Sequence, residues 1–239
     1  MYENAFVPQR AGPDFFWECF VPWIAAILNS PKLLSTGFFI RVFYQLYQMI
    51  RKLCLWIFSI TGWKTDGNLP SQLKKCIIIA APHTSNWDFW YCMATFAIYR
   101  LPIRFTVKKE WMKFPFSLLM KPLGGIAIDR TPRGLDNKRP SFIEAMTELF
   151  NMHEELIIVI TPEGTRGKRE KWKTGFYHTA VAANVPILMG YTDYKTKTTG
   201  ICNPLYPTDY TKDMKTIMDF YKTIHPKFPE NFSVDKEFG

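Results

Sequence analysis

The sequence predicts an α/β domain with a central, largely buried sheet flanked by helices, preceded by a helical N-terminal segment. Two observations carry this. From residue 76 onward, short wholly apolar runs alternate with stretches of helical period, the pattern of a sheet covered on both faces. Before residue 63 the chain is apolar and aromatic with helical spacing, and a turn-rich stretch divides it from the rest.

The elements follow in order. Phe39, Val42, Phe43, Leu46, Met49, Ile50 and Leu53 recur at helical spacing. Glu18, Pro22, Arg41 and the Arg51-Lys52 pair interrupt the apolar runs, so no window reaches the roughly 18 uninterrupted apolar residues of a spanning helix. An aromatic face bordered by basic residues suits a helix lying in a membrane interface; a pair of helices buried against the domain core fits the same pattern. Gly62 and Thr65 to Pro70 read as a turn or linker, placing a boundary that divides residues 1–62 from 63–239. Cys76 to Ala80, closed by Pro82, is a buried strand, and Trp87 to Tyr99 a helix. Arg104 to Val107 and Gly125 to Ile128 read as strands. Ser141 with Glu144 is a capping box, opening a helix whose apolar face is Ile143, Met146, Leu149 and Phe150. Leu156 to Ile160 is a second buried strand, Phe176 to Ala183 a helix, and Ile187 to Gly190 a strand. Ile217, Met218 and Tyr221 share one face of a late helix.

Composition narrows the partners. A formal charge of +9 points to an anionic partner: phospholipid, nucleic acid or a phosphorylated substrate. The 5 cysteines are odd in number and contain no CxxC pair, which excludes a disulfide framework or zinc ribbon and suits a reducing compartment. The first residues lack the basic and apolar pattern of a signal peptide. No GxSxG elbow is present for a serine hydrolase, and His153, His178 and His225 are too isolated to form a metal site. The basic run Arg166, Lys168, Arg169, Lys171 and Lys173 around Trp172 carries no nucleic-acid motif and fits a rim facing acidic lipid.

Three constellations bear chemistry. In His83-Thr84-Ser85-Asn86-Trp87-Asp88 the acid and the histidine do not stack on one helix. With His83 in the loop, Ser85 or Asn86 as N-cap and Asp88 in the first helical turn, the carboxylate can hold one ring nitrogen and leave the other as a base. Alone, that spacing fits a structural pair better than a catalytic one. In Thr161-Pro162-Glu163-Gly164-Thr165-Arg166, Gly164 permits close backbone approach and Arg166 a two-pronged grip on phosphate; an ordinary polar turn fits equally well. Gly125 to Arg130 ends in Asp129-Arg130, by itself an unremarked surface ion pair.

Taken together and in this order, with Val185-Pro186-Ile187 after them, these blocks resemble the glycerolipid acyltransferase family, best known for the 1-acylglycerol-3-phosphate acyltransferases. The likeness covers residues 76–190. The Thr-Ser-Asn-Trp filling and Lys171-Trp172-Lys173-Thr174-Gly175 resemble a bacterial-type branch, and residues 1–62 match only in being apolar and helical. The resemblance implies a glycerol-3-phosphate acyltransferase-like fold behind a membrane-binding segment. It also implies transfer of a fatty acyl group from acyl-CoA or acyl-carrier protein to the free hydroxyl of 1-acylglycerol-3-phosphate. His83 would be the base and Asp88 its orienting acid; Glu163, Gly164, Thr165 and Arg166 would contact the acceptor phosphate, with Arg130 and Lys108 (or Lys109) as further candidates. The acyl donor is a substrate, so neither cofactor nor metal is implied, and the expected partners are a lysophospholipid, the acyl donor and a membrane surface, without nucleic acid. The expected location is the cytoplasmic face of the inner or plasma membrane. The readings that compete are another lysolipid acceptor and a catalytically inactive membrane-binding homologue.

Overall fold

The structure, a computed structural model, describes residues 34–67, 73–107, 112–113, 116–121, 124–128, 131 and 139–239. The chain divides into two compact units, Met1–Leu46 and Tyr47–Gly239. Of the first, the described part is the opening of helix α1, Leu34–Ile60; its remainder belongs to the second unit. Gly62 ends that helix at φ +72°, and the Trp63 N–H reaches back to the Phe58 carbonyl at 3.2 Å, the closure that a left-handed glycine allows.

The second unit is a seven-stranded sheet in the order β1-β7-β6-β2-β5-β3-β4. Its strands are β1 Lys64–Asp66, β2 Lys75–Ala80, β3 Ile103–Val107, β4 Gly125–Ala127, β5 Leu156–Ile160, β6 Ile187–Asp193 and β7 Thr198–Ile201. Pairing is parallel except between β6 and β7. The helices that follow α1 are α2 Trp87–Ile98, α3 Ser117–Met120, α4 Phe142–Met152, α5 Gly175–Ala183 and α6 Tyr210–Lys222.

Strand alternation builds two core layers. Ile77, Ile79, Ile158, Ile187 and Met189 face α4, α5 and α6, which present Met146, Phe150, Phe176, Met214 and Tyr221. Cys76, Ile78, Ile157 and Leu188 face the other way, against Phe96 of α2 and Leu101. Complete burial of Ile77, Ile78 and Ile79 makes β2 the centre of the sheet, each side chain contributing about 1.5–3 kcal/mol. A third, smaller cluster packs Cys54 and Phe58 of α1 with Trp63, Tyr91 and Ala94. The capping box of α4 forms as expected: the Ser141 hydroxyl accepts from the Glu144 N–H while the Glu144 carboxylate accepts from the Ser141 N–H.

Two strands depart from the sequence reading. Lys64–Asp66, expected within a turn, pairs in parallel with β7, a strand that the apolar pattern did not reveal. Both sit at one side of the sheet and are short, Lys-Thr-Asp and Thr-Thr-Gly-Ile, so pairing and not an apolar run makes them strands. The expected N-terminal helices before residue 34 and the linker from Asn68 to Pro70 lie outside the described residues.

Candidate active site

Sheet order assembles the site. β2 and β5 are parallel neighbours with Ile79 opposite Ile160, so the chains leaving them emerge side by side. One carries His83 and the other Glu163. β6 lies on the far side of β2 with Gly190 opposite Ala80, and delivers Tyr194 to the same edge. Ligand sites of α/β sheets lie at this carboxyl edge.

Asp88 sits in the first turn of α2 and is buried, 5% exposed. Its Oδ2 accepts the N–H groups of Thr84 and Ser85, both at 2.8 Å, and its Oδ1 accepts the Tyr194 hydroxyl at 2.6 Å. Oδ2 also faces His83 Nδ1 at 3.5 Å. With Nδ1 turned to the carboxylate, Nε2 is the ring nitrogen left to act as a base. Ser85 supports the helix start by accepting from the Trp87 N–H at 3.2 Å, whereas the Asn86 side chain makes no cap bond.

Glu163 ties the second loop to the first: its Oε2 accepts the His83 N–H at 2.9 Å. The side chain is turned inward, 6% exposed, and its Oε1 has no hydrogen-bond partner among the described residues. Burial pushes its carboxyl up to about 7, against the opposing pull of the His83 N–H and ring. Beneath it the fully buried Tyr221 donates to the carbonyls of Ile79 and Gly190 at 2.9 and 3.0 Å, joining the ends of β2 and β6.

Gly164 has φ +67°, and a Cβ there would come within 2.6 Å of Lys173 Nζ. The left-handed φ favours glycine, and the close approach places a lysine ammonium over the loop. Thr165 accepts from the Gly167 N–H at 3.3 Å. Arg166 is exposed and pairs with no carboxylate among the described residues, whereas Lys171 is tied to Glu237 and Glu170 to Lys236. The loop thus presents Arg166 and Lys173 outward while its acid points in. Of the remaining expected contacts, Lys108, Lys109 and Arg130 lie outside the described residues.

Three participants escaped the sequence reading. Tyr194 lies beyond the expected strand Ile187 to Gly190 and matches no motif. Lys173 was one of a basic run. Lys227, whose Nζ lies 5.0 Å from the Trp87 ring centroid, precedes Phe228, whose N–H donates to the Thr84 hydroxyl at 3.3 Å. His153, His178 and His225 are exposed and remote from metal geometry; among the described residues no cluster of three metal-ligand side chains occurs.

A model of the family described as Acyltransferase matches residues 64–189. The chain is 27% identical over 178 residues to a 1-acyl-sn-glycerol-3-phosphate acyltransferase of Haemophilus influenzae, an alignment covering 71% of this chain and 66% of that protein. It is 36% identical over 135 residues to the protein of the same name from Salmonella typhimurium, covering 53% of this chain and 51% of the relative. A crystal structure of the 1-acyl-sn-glycerophosphate acyltransferase PlsC from Thermotoga maritima superposes with a TM-score of 0.48 at 15% identity, over 87% of this chain and 86% of that one. With the matched family region running from β1 into β6 and enclosing both loops, the chain belongs to the acyltransferase family.

Proposed function

We propose that the chain transfers a fatty acyl group from acyl-CoA or acyl-carrier protein to the free hydroxyl of 1-acylglycerol-3-phosphate, giving phosphatidic acid. The observation that carries this reading is His83, set with Nδ1 toward a buried Asp88 beside a loop whose arginine faces outward. His83 Nε2 takes the proton of the acceptor hydroxyl as that oxygen attacks the thioester carbonyl. The tetrahedral adduct collapses by breaking the carbon–sulfur bond, and the imidazolium returns its proton to the departing thiolate. Asp88 orients the ring and balances its transient charge. The acceptor oxygen is the nucleophile, so no acyl-enzyme forms, and the scheme uses no cofactor. Gly164, Thr165 and Arg166 receive the acceptor phosphate, with Lys173 above them, while Glu163 holds the two loops together. Relatives named for the same reaction support the choice of acceptor.

Arg166→Ala is expected to raise KM for lysophosphatidic acid roughly tenfold with a smaller change in kcat, since a charge-assisted phosphate contact serves ground and transition states alike. Arg166→Lys restores only part, because a point charge does not reproduce the guanidinium fork. Steady-state assays over a panel of lysolipids read this. Equal use by the wild type of an acceptor without the phosphate would sink the head-group assignment.

We further propose that residues 1–62 hold the acyltransferase domain, residues 63–239, on the cytoplasmic surface of a membrane. Met49, Leu53, Trp56 and Ile60 form an exposed apolar stripe on α1, opposite Cys54 and Phe58, which pack inward. Among the described residues no helix is long and apolar enough to cross a membrane. Such a helix, apolar toward both protein and solvent, suits the interfacial plane. Replacing Leu53 and Trp56 together by glutamate should lower co-sedimentation with anionic vesicles at least tenfold, since each side chain contributes about 1.5–3 kcal/mol on burial. The thermal melt should barely move, because both side chains are exposed in the folded chain. Unchanged vesicle binding would place the anchor elsewhere.

A further inference from the structure

Asp88 is held by three donors. Two are backbone N–H groups, from Thr84 and Ser85, which any side chains at those positions would supply. The third is a side chain from a different part of the fold: Tyr194, the first residue after β6, donates its hydroxyl to Asp88 Oδ1 at 2.6 Å. Its ring is fixed edge-on to Trp63, with centroids 5.0 Å apart, and to Tyr91 at 5.9 Å. Its own N–H donates to the His225 carbonyl at 2.9 Å. Burial, and then the bond to Asp88, pushes the phenol far above its ordinary range, so it remains a donor at every working pH.

We propose that Tyr194 is a positioning residue for the His83–Asp88 pair, fixing the rotation of the Asp88 carboxylate and moderating its hold on the His83 ring. The proposal rests on the reading of His83 as the base. A carboxylate with a donor on one oxygen only can turn about its terminal torsion, which is broad and roughly two-fold. A rigid phenol on Oδ1 stops that turn and keeps Oδ2 facing Nδ1. The same short bond draws negative charge toward Oδ1. Oδ2 then stabilises the imidazolium enough for it to form, but not so firmly that it withholds its proton from the departing thiolate.

Other ionisable groups surround the pair. Glu163 accepts the His83 N–H from the loop after β5. Cys92, on α2, is pushed up to about 12 by burial and by Asp88, and burial raises Tyr221 well above its ordinary range, so both stay protonated. Glu163, raised to about 7, titrates in the neutral range and would itself shape an activity profile. The histidine ring is therefore read directly.

The test is Tyr194→Phe in the full chain, with histidine labelled for NMR and the His83 signal among the 4 histidines assigned by its loss in His83→Ala. Loss of one charge-assisted bond should lower kcat roughly tenfold and leave KM for donor and acceptor within about twofold. The titration midpoint of His83 should rise by about half a pH unit, since a carboxylate short of one donor holds the imidazolium more tightly. The thermal melt should stay close to that of the wild type because the ring still packs. Phe58→Leu serves as the packing control: Phe58 is buried in the same cluster against Trp63 and Tyr91, so its truncation should lower the melt yet leave the His83 midpoint in place. Wild-type kcat and midpoint in Tyr194→Phe, with His83→Ala inactive, overturn the proposal and spare the general-base reading. A fall in kcat with the midpoint unmoved, or a variant that does not fold, assigns Tyr194 to packing and overturns it as well. Near-normal turnover in His83→Ala removes both readings.

Discussion

His83→Ala is expected to lower turnover by at least about a hundredfold, the scale on which a positioned general base contributes. The fold should survive. The His83 ring is partly exposed, its contact to Asp88 is 3.5 Å long, and the bond that joins the two loops uses the His83 backbone N–H, which alanine retains. The acceptor hydroxyl would then have to attack with no base in place, while substrate binding stays largely intact. Single-turnover assays with labelled acyl donor separate the two, and the melting curve reports the fold. Near-normal turnover with a normal melt would mean that another group activates the hydroxyl.

Asp88→Asn is expected to cost roughly a hundredfold in turnover as well, through orientation and charge. The asparagine oxygen can still accept from Thr84 and Ser85, and the Tyr194 hydroxyl can turn from donor to acceptor toward the new amide N–H. The loop should keep its shape while the imidazolium loses its counter-charge. Asp88→Ala differs. It leaves two buried backbone N–H groups without their acceptor, at about 1–3 kcal/mol each, so it should be both inactive and distinctly less stable. Melting and turnover measured on the two variants together separate the charge from the scaffold. An active Asp88→Asn would show that His83 works without its acid and would reduce Asp88 to a structural cap.

Much of this was legible locally. β2 and β5 announce themselves as unbroken apolar runs, Cys76 to Ala80 and Leu156 to Ile160, because a strand buried on both faces has no polar side to show. The start of α4 is written in Ser141 and Glu144, since a capping box is a contact between residues three apart. The pairing of His83 with Asp88 is similarly short-range, closed by a loop entering a helix. β1 and β7 were hidden for the opposite reason: they are short and carry no unbroken apolar run, and their strand conformation comes from pairing, β1 with β7 and β7 with β6.

By itself, then, the sequence determined the α/β class, the two loops that follow strands, and the histidine with its acid. Each of these depends on neighbours a few residues apart. Only the tertiary structure decided that β5 and β6 flank β2, which sets Glu163 beneath the His83 loop and brings the Tyr194 hydroxyl to the Asp88 carboxylate. It also turned the Glu163 side chain inward and laid Lys173 over Gly164. The physical reason is strand order. Which strands become neighbours is settled by how the helices cover both faces of the sheet, a global packing problem, and no local pattern around residue 194 records that its hydroxyl will meet a carboxylate 106 residues away.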